Sequence, residues 1–244
     1  KCSLPMAIKA PFGFSGKGLW TFKSQTPYEK VQKLAHRLLD NHDGLICEAW
    51  VSRLWDFRFL VEKEGPRDFA QMFVDPLGRF HGLTRASLKS KSGEKIKALR
   101  PQYFEEFFGP YFPFQVDGFC YRDAFSKEVK WRTVSEINHR RSLGEMLFRC
   151  CEFLGLPPDY SASWLIVKNP QKYESFTRLM KELEGEKRIL PTSDHRGEFL
   201  SFFLYSSPQE DHFALLQKLY ALLGGGMPNW LRRSYFREAE EIGR

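Results

Sequence analysis

Apolar residues recur along most of the chain in short runs bounded by polar or glycine-rich breaks, which is the patterning of strands. Met6 to Ala10 (MAIKA) and Leu19 to Phe22 predict two strands joined by a glycine-rich loop, Pro11 to Gly18 (PFGFSGKG). Leu45 to Val51 (LICEAWV) and Phe57 to Glu62 (FRFLVE) predict two more. Phe69 to Asp75 and Arg79 to Arg85 predict a hairpin about Pro76-Leu77-Gly78. Phe114 to Arg122 (FQVDGFCYR) and Val129 to Ile137 (VKWRTVSEI) predict a second strand pair, and Phe199 to Tyr205 (FLSFFLY) a buried strand. The stretch from Ser87 to Pro113 turns from polar to aromatic and carries no period.

Helical spacing appears between these runs. Val31, Leu34, Ala35 and Leu38 predict a helix ending near Asp40, with Thr26 as N-cap, Pro27 at the first position and Glu29 completing a capping box. Leu143, Met146, Leu147, Cys150, Cys151 and Leu154 predict another, stopped by Gly155 and Pro157. Lys172 to Leu183 also reads as helical. Ser207-Pro208-Gln209-Glu210 reads as a capping box before a helix carried by Phe213, Leu216, Leu219, Tyr220 and Leu223, and Gly224-Gly225-Gly226 ends it. A basic helix follows, and no internal repeat is seen. The expected class is α+β with much antiparallel sheet.

Composition narrows the functional classes. A length of 244 residues suits one large domain or two small ones. Hydrophobic residues at 42% and charged residues at 27% argue against disorder. No apolar run approaches the roughly 20 residues that span a bilayer, so no membrane partner is expected. The net charge of +7 suits phosphate-bearing partners, though no block of like charges forms. An ordinary basic surface is the plainer reading of that charge. The aromatic, basic segment from Arg232 to Arg237 does not match a nucleic-acid module, and nucleic acid is not expected as a partner. The five cysteines lack a C-x-x-C spacing and the six histidines a metal-binding one, which predicts reduced thiols in the cytoplasm and no zinc site. The chain starts at Lys1 without the pattern of a signal peptide.

Two clusters carry candidate chemistry. The glycine-rich loop, with Lys9 before it and Lys17 within it, lets backbone N–H groups approach phosphate oxygens. Its order of glycines (Gly13, Gly16, Gly18) is neither a Walker A motif nor a dinucleotide-binding fingerprint, and an ordinary hairpin turn is the alternative. The second cluster is Asp117 on one predicted strand with Glu136 and Asn138 on the next. Glu136 and Asn138 are two residues apart and share a face. Two carboxylates and an amide oxygen suit a hard cation such as magnesium, completed by phosphate oxygens. Solvated acids on a surface hairpin are the alternative, and Asp123 competes with Asp117 as the first ligand. Arg140 follows two positions after Asn138. Arg58 and Arg85, on predicted strands, have the forked geometry that suits phosphate or carboxylate.

Three segments, in order, resemble the ATP-grasp superfamily. Ile8-Lys9-Ala10-Pro11 with Gly13 to Gly18 is similar to its lysine strand and glycine-rich flap. Ile46 to Val51 with Asp56-Phe57-Arg58 is similar to its adenine hinge and following strand. Val116-Asp117-Gly118-Phe119 with Ser135-Glu136-Ile137-Asn138-His139-Arg140 is similar to its metal-binding strand pair. The resemblance covers roughly residues 4–150.

It implies an ATP-grasp-like α+β fold whose two subdomains, each with antiparallel sheet, sandwich a nucleotide. Residues 1–47 would be the glycine-loop subdomain, incomplete at its start, 48–160 the ATP- and metal-binding catalytic subdomain, and 161–244 a C-terminal α/β extension of a longer protein. Lys9 would contact ATP phosphates, and Ser15, Gly16 and Gly18 would close over them. Glu48, Trp50 and Val51 would hold the adenine, Asp56 the ribose and Arg58 a phosphate. Asp117, Glu136 and Asn138 would hold magnesium, or manganese. Arg140 and Lys9 would serve catalysis, and Arg85 and Arg140 the substrate. The implied activity is a ligase that activates a small-molecule or peptide carboxylate with ATP as an acyl phosphate for attack by an amine or thiol. The alternative is a non-catalytic nucleotide-binding or scaffold module; whether the chain forms homo-oligomers is left open.

Overall fold

The structure is a computed structural model that describes residues 5–14, 17–62, 65–76, 78–85, 113–123, 125–138, 143–169, 179–183, 186–193 and 197–241. The chain divides into two compact units, Lys1–Arg53 with Tyr121–Lys130, and Leu54–Cys120 with Trp131–Arg244.

The first unit holds a three-stranded antiparallel sheet in the order β2-β1-β3, from β1 (Met6–Phe14), β2 (Lys17–Phe22) and β3 (Ile46–Ala49). Ile8, with Met6, Trp20 and Phe22 around it, packs against Val31, Leu34, Ala35 and Leu38 of α1 (Tyr28–Leu39). Alternation along β1 sends Ala7 and Lys9 to the face away from that cluster. The expected loop is shorter than the sequence suggested. β1 runs to Phe14 and β2 starts at Lys17, with Phe14 opposite Lys17 and the register shifting between Lys9 and Phe14. Cross-strand pairing carries the ladder into the glycine-rich stretch, which an isolated run of glycines does not announce.

The second unit is built on an eight-stranded sheet in the order β10-β11-β9-β6-β5-β4-β7-β8. Its strands are β4 (Ser52–Glu62), β5 (Gly65–Val74), β6 (Phe80–Thr84), β7 (Phe114–Arg122), β8 (Val129–Asn138), β9 (Ser161–Lys168), β10 (Ile189–Pro191) and β11 (Phe199–Ser206). One face, with Ala70, Met72, Leu83, Trp164 and Phe203, takes Leu147 and Cys151 of α2 (Glu145–Phe153). Residues of the other parity, Phe73, Leu165, Val167, Phe202 and Leu204, pack with α3 (His212–Leu222) and Leu231 of α4 (Asn229–Glu241). Covered on both faces, β9 and β11 read as continuous apolar runs. The segment 161–244, expected as a separate extension, shares this sheet, because β9 pairs with β6 and places Trp164 opposite Leu83. The expected boundary at residue 160 therefore falls inside one sheet.

Two glycines are fixed by close approach. A Cβ on Gly118 would lie 2.5 Å from the Phe57 ring and 2.7 Å from the Thr133 carbonyl oxygen, so only hydrogen fits between β7 and its neighbours. The second is Gly144, treated with the site below.

Both predicted capping boxes form differently. The Thr26 hydroxyl donates to the Lys23 carbonyl (2.7 Å), and α1 starts after Pro27 with no side-chain cap. Glu210 does accept from the Ser207 N–H and hydroxyl, but within a turn that precedes the helix. Asp211 is the cap of α3, accepting from the Phe213 and Ala214 N–H groups. Asp211 directly follows Glu210, and its shorter side chain reaches the second and third N–H donors without strain. Neither β9 nor β10 was expected from the sequence, and of the predicted 172–183 helix only 179–183 falls on described residues, where it is helical.

A neutral polar chain runs through this core. His212 is buried between Ser163 and Ser206, with Nε2 2.8 Å from Ser163 Oγ and Nδ1 2.9 Å from Ser206 Oγ. Ser163 donates its hydroxyl hydrogen to Thr84 (2.9 Å), and Thr84 donates to the Ala162 carbonyl (3.2 Å). With that hydrogen committed, His212 Nε2–H must donate to Ser163, and Nδ1 accepts from Ser206. Burial pushes the imidazole pKa down to about 4, so the ring is neutral at pH 7.

Candidate functional site

The last three strands at one end of the sheet, β4, β7 and the edge strand β8, bring three of the predicted residues together. Arg58 on β4 grips Asp117 on β7 with both arms of its fork, Nε to Oδ1 at 2.6 Å and Nη2 to Oδ2 at 2.9 Å. Both side chains are nearly buried, at 11% and 13% exposure. Asn138, on β8, donates from Nδ2 to Asp117 Oδ2 at 3.4 Å. Glu136 is exposed, and alternation along β8 puts it on the face that carries Asn138. The Ser135 hydroxyl donates to the Asp117 carbonyl (3.0 Å) and fixes the register of the two strands locally. Asp117 is thus held by a guanidinium and an amide, and the neighbouring strand carries a second carboxylate on the face of that amide.

Residues that the sequence did not single out complete the surroundings of Arg58. Gly144 lies so close that a Cβ there would fall 2.4 Å from Arg58 Nη1 and 2.6 Å from its Cδ. A small cleft beside Arg58 is lined by Asp68, Gln115, Glu145 and Phe148. Asp68 has a left-handed backbone (φ 53°) where the β4–β5 register shifts between Arg58 and Leu60, as a bulge that redirects a side chain does. An aspartate at a bulge has no local sequence signature, so it could not be foreseen. Asp56 is buried and, two positions before Arg58, shares its face.

The other predicted residues stand as follows. In the first unit, Lys9 and Glu48 form an ion pair. Glu48 lies opposite Ala7 in the β1–β3 ladder, so its side chain emerges on the face that carries Lys9. Trp50 donates its backbone N–H to the Pro5 carbonyl (2.9 Å), and the Arg53 guanidinium sits 5.5 Å from the centre of its ring. Val51 follows between β3 and β4. Gly18 is within β2. Ser15, Gly16 and Arg140 lie outside the described residues. Arg85, in the second unit, donates to the carbonyls of Tyr160 and Pro157, at 2.9 Å each, and ties down the turn before β9. Asp123 organises the β7–β8 turn, accepting from the Phe125 and Ser126 N–H groups and from Lys130 Nζ. The Lys130 hydrogen bond and those N–H groups hold its carboxyl well below the usual carboxylate range.

The donors suit a hard divalent cation better than a soft one, since carboxylate and amide oxygens are the ligands such ions choose. Among the described residues no group of three or more His, Cys, Asp or Glu side chains is placed to hold a metal ion. An ion at Asp117 would therefore draw on Glu136, the Asn138 amide oxygen and outside oxygens such as those of phosphates. On that donor chemistry the residues fit magnesium, with Arg58 as a competing cation already in contact with Asp117.

No protein-family model matches the chain, and no curated protein matches it in sequence. Solved structures do. An ADP complex of PurK, an N5-carboxyaminoimidazole ribonucleotide synthetase, aligns over 90% of this chain with a TM-score of 0.57 and 14% identity. The carboxyaminoimidazole ribonucleotide synthase of Aspergillus clavatus complexed with ATP aligns over 90% of it with a TM-score of 0.60 and 12% identity. The Aspergillus clavatus N5-carboxyaminoimidazole synthase with ADP and 5-aminoimidazole ribonucleotide gives 0.55 and 11% over the same share. The chain spans 61–62% of the length of these structures. At such identities the likeness is one of fold, and the α+β fold of this chain is that of the ATP-grasp enzymes.

Proposed function

We propose that the chain is part of an ATP- and magnesium-dependent ligase that activates a carboxylate as an acyl phosphate for attack by an amine or thiol, releasing ADP and phosphate. The observation that carries this reading is the meeting of Arg58, Asp117 and Asn138 on adjacent strands of an ATP-grasp fold, with Glu136 on the same face of β8. Structures that share the fold hold ATP or ADP.

In this reading Asp117, Glu136 and Asn138 hold magnesium. Magnesium, when bound, neutralises phosphate charge and so eases transfer to the carboxylate. Lys9 contacts the phosphates, and Ser15, Gly16 and Gly18 close over them with backbone N–H groups. Glu48 accepts from the adenine amino group, Trp50 and Val51 line the hinge, and Asp56 binds the ribose. Arg140 and Arg85 hold the substrate carboxylate, and Arg140 also steadies the charge that develops on it. Residues 1–47 act as the lid, residues 48–160 carry the chemistry, and the protein works in the cytoplasm on a small molecule or a peptide. Phosphoryl transfer asks for positioning and charge neutralisation rather than a protein nucleophile.

The test is phosphate release from ATP by the full-length protein with magnesium, across panels of carboxylic acids and amines. Turnover that needs both an acid and an amine supports the reading. Replacing Arg140 by Ala is expected to spare ATP binding and abolish turnover. ATP binding with no ADP formed under any pair would instead favour a nucleotide-binding module.

A further inference from the structure

We propose that Arg58 is a built-in counter-ion that occupies Asp117 until a divalent cation displaces it, and that Gly144 sets its position. The inference rests on the metal reading of Asp117 above and adds a competitor to it.

Three observations support it. The guanidinium takes both carboxylate oxygens of Asp117, through Nε and Nη2. A divalent ion at that carboxylate therefore competes with a bidentate, charge-assisted contact. Both groups are nearly buried, so neither tolerates loss of its partner without a replacement charge. The third arm of the fork, Nη1, lies against Gly144, where a Cβ would intrude to 2.4 Å. Gly144 has ordinary helical backbone angles (φ −61°, ψ −26°), so what the position requires is the missing side chain rather than an unusual conformation.

The released guanidinium has somewhere to go. The cleft it lines is also lined by two acidic residues, Asp68 and Glu145. The exchange puts the cation in place of the guanidinium at Asp117, with the acidic residues of the cleft beside the displaced arginine. Such a swap makes the cation and the arginine alternatives, two discrete arrangements rather than a graded shift.

The experiment titrates the full-length protein with Mn2+ in the absence of nucleotide and follows free Mn2+ by electron paramagnetic resonance. Arg58→Gln is expected to bind Mn2+ about tenfold more tightly than the parent, since no charged contact has to be broken. Gly144→Ala keeps both charges but pushes the guanidinium aside, and is expected to tighten binding in the same direction by about threefold. Arg58→Lys is expected to stay near the parent. Adding Asp117→Asn to Arg58→Gln should remove the gain, which ties it to that carboxylate. Unchanged or weaker Mn2+ binding in Arg58→Gln overturns the proposal. If Arg58→Gln does not fold, unchanged or weaker binding in Gly144→Ala overturns it alone. Magnesium–ATP binding by the parent, measured separately, keeps the two readings apart. If it persists while the variants show no gain, the counter-ion role fails and the ligase reading stands; if neither metal nor ATP binds, both fail.

Discussion

Thr84, Ser163, His212 and Ser206 form a hydrogen-bonded chain inside the second unit, and Arg58, Asp117 and Asn138 form another on the same sheet. The first is neutral and sealed, with its four side chains at 0–3% exposure and every hydrogen directed at a protein acceptor. The second is charged, retains 11–13% exposure at its ion pair, and has the exposed Glu136 beside it. A sealed neutral chain fixes how β6, β9, β11 and α3 meet and offers nothing to a ligand. A charged one that solvent still reaches keeps groups whose partners can be exchanged. Polar residues in a core are therefore not equivalent signs of function: what separates a scaffold from a site is whether its groups carry charge and whether solvent reaches them.

The largest effect expected is from Asp117→Ala, which strands the Arg58 guanidinium in a nearly buried position. It should cost about 3–5 kcal/mol in urea unfolding, and Arg58→Met in the same chain should recover most of that. A cost below about 1 kcal/mol would mean that the pair is solvated and the contrast between the clusters too sharp.

Acid separates the clusters next. The folded pKa of His212 is depressed to about 4 from an ordinary 6.5. The unfolded state then binds more protons between these values, so stability falls as pH drops from 6.5 to 4 and is complete above 6.5. The loss is at most about 3 kcal/mol. His212→Gln should flatten that window in a pH series of melting temperatures. Glu186, held at about 2 by Arg188 and then Lys218, acts in a different window: its contribution is intact above 4.5 and is lost toward 2. The smallest change expected is Ser206→Ala, which leaves one ring nitrogen of His212 without its donor and should cost about 1 kcal/mol.

Much of the fold is legible in local pattern. Phe114 to Arg122 is the strand predicted, and β8 exceeds its predicted end only by Asn138, because apolar alternation and the turn at Asp123 are local signals. The shared face of Glu136 and Asn138 follows from period two alone. The partner of Asp117 does not. Arg58 is 59 residues away, and only the sheet order, which sets β4 beside β7, brings it there. The same holds for Ser163 and His212, 49 residues apart. Capping was misread for a local reason: Ser207 and Glu210 do pair, but Asp211 sits where the first free N–H groups emerge. The Lys9–Glu48 pair lies between, because adjacent strands bring the two together while their spacing along the chain says nothing.

The central claim, that a magnesium nucleotide is held at the face of Asp117, Glu136 and Asn138, is tested most directly by calorimetric titration of ATP into the full-length protein. The account predicts binding that strengthens when Mg2+ is added and loses that enhancement in Glu136→Ala, a substitution at an exposed position that should leave the melting temperature almost unchanged. ATP binding indifferent to Mg2+, or an enhancement retained in Glu136→Ala, would contradict it.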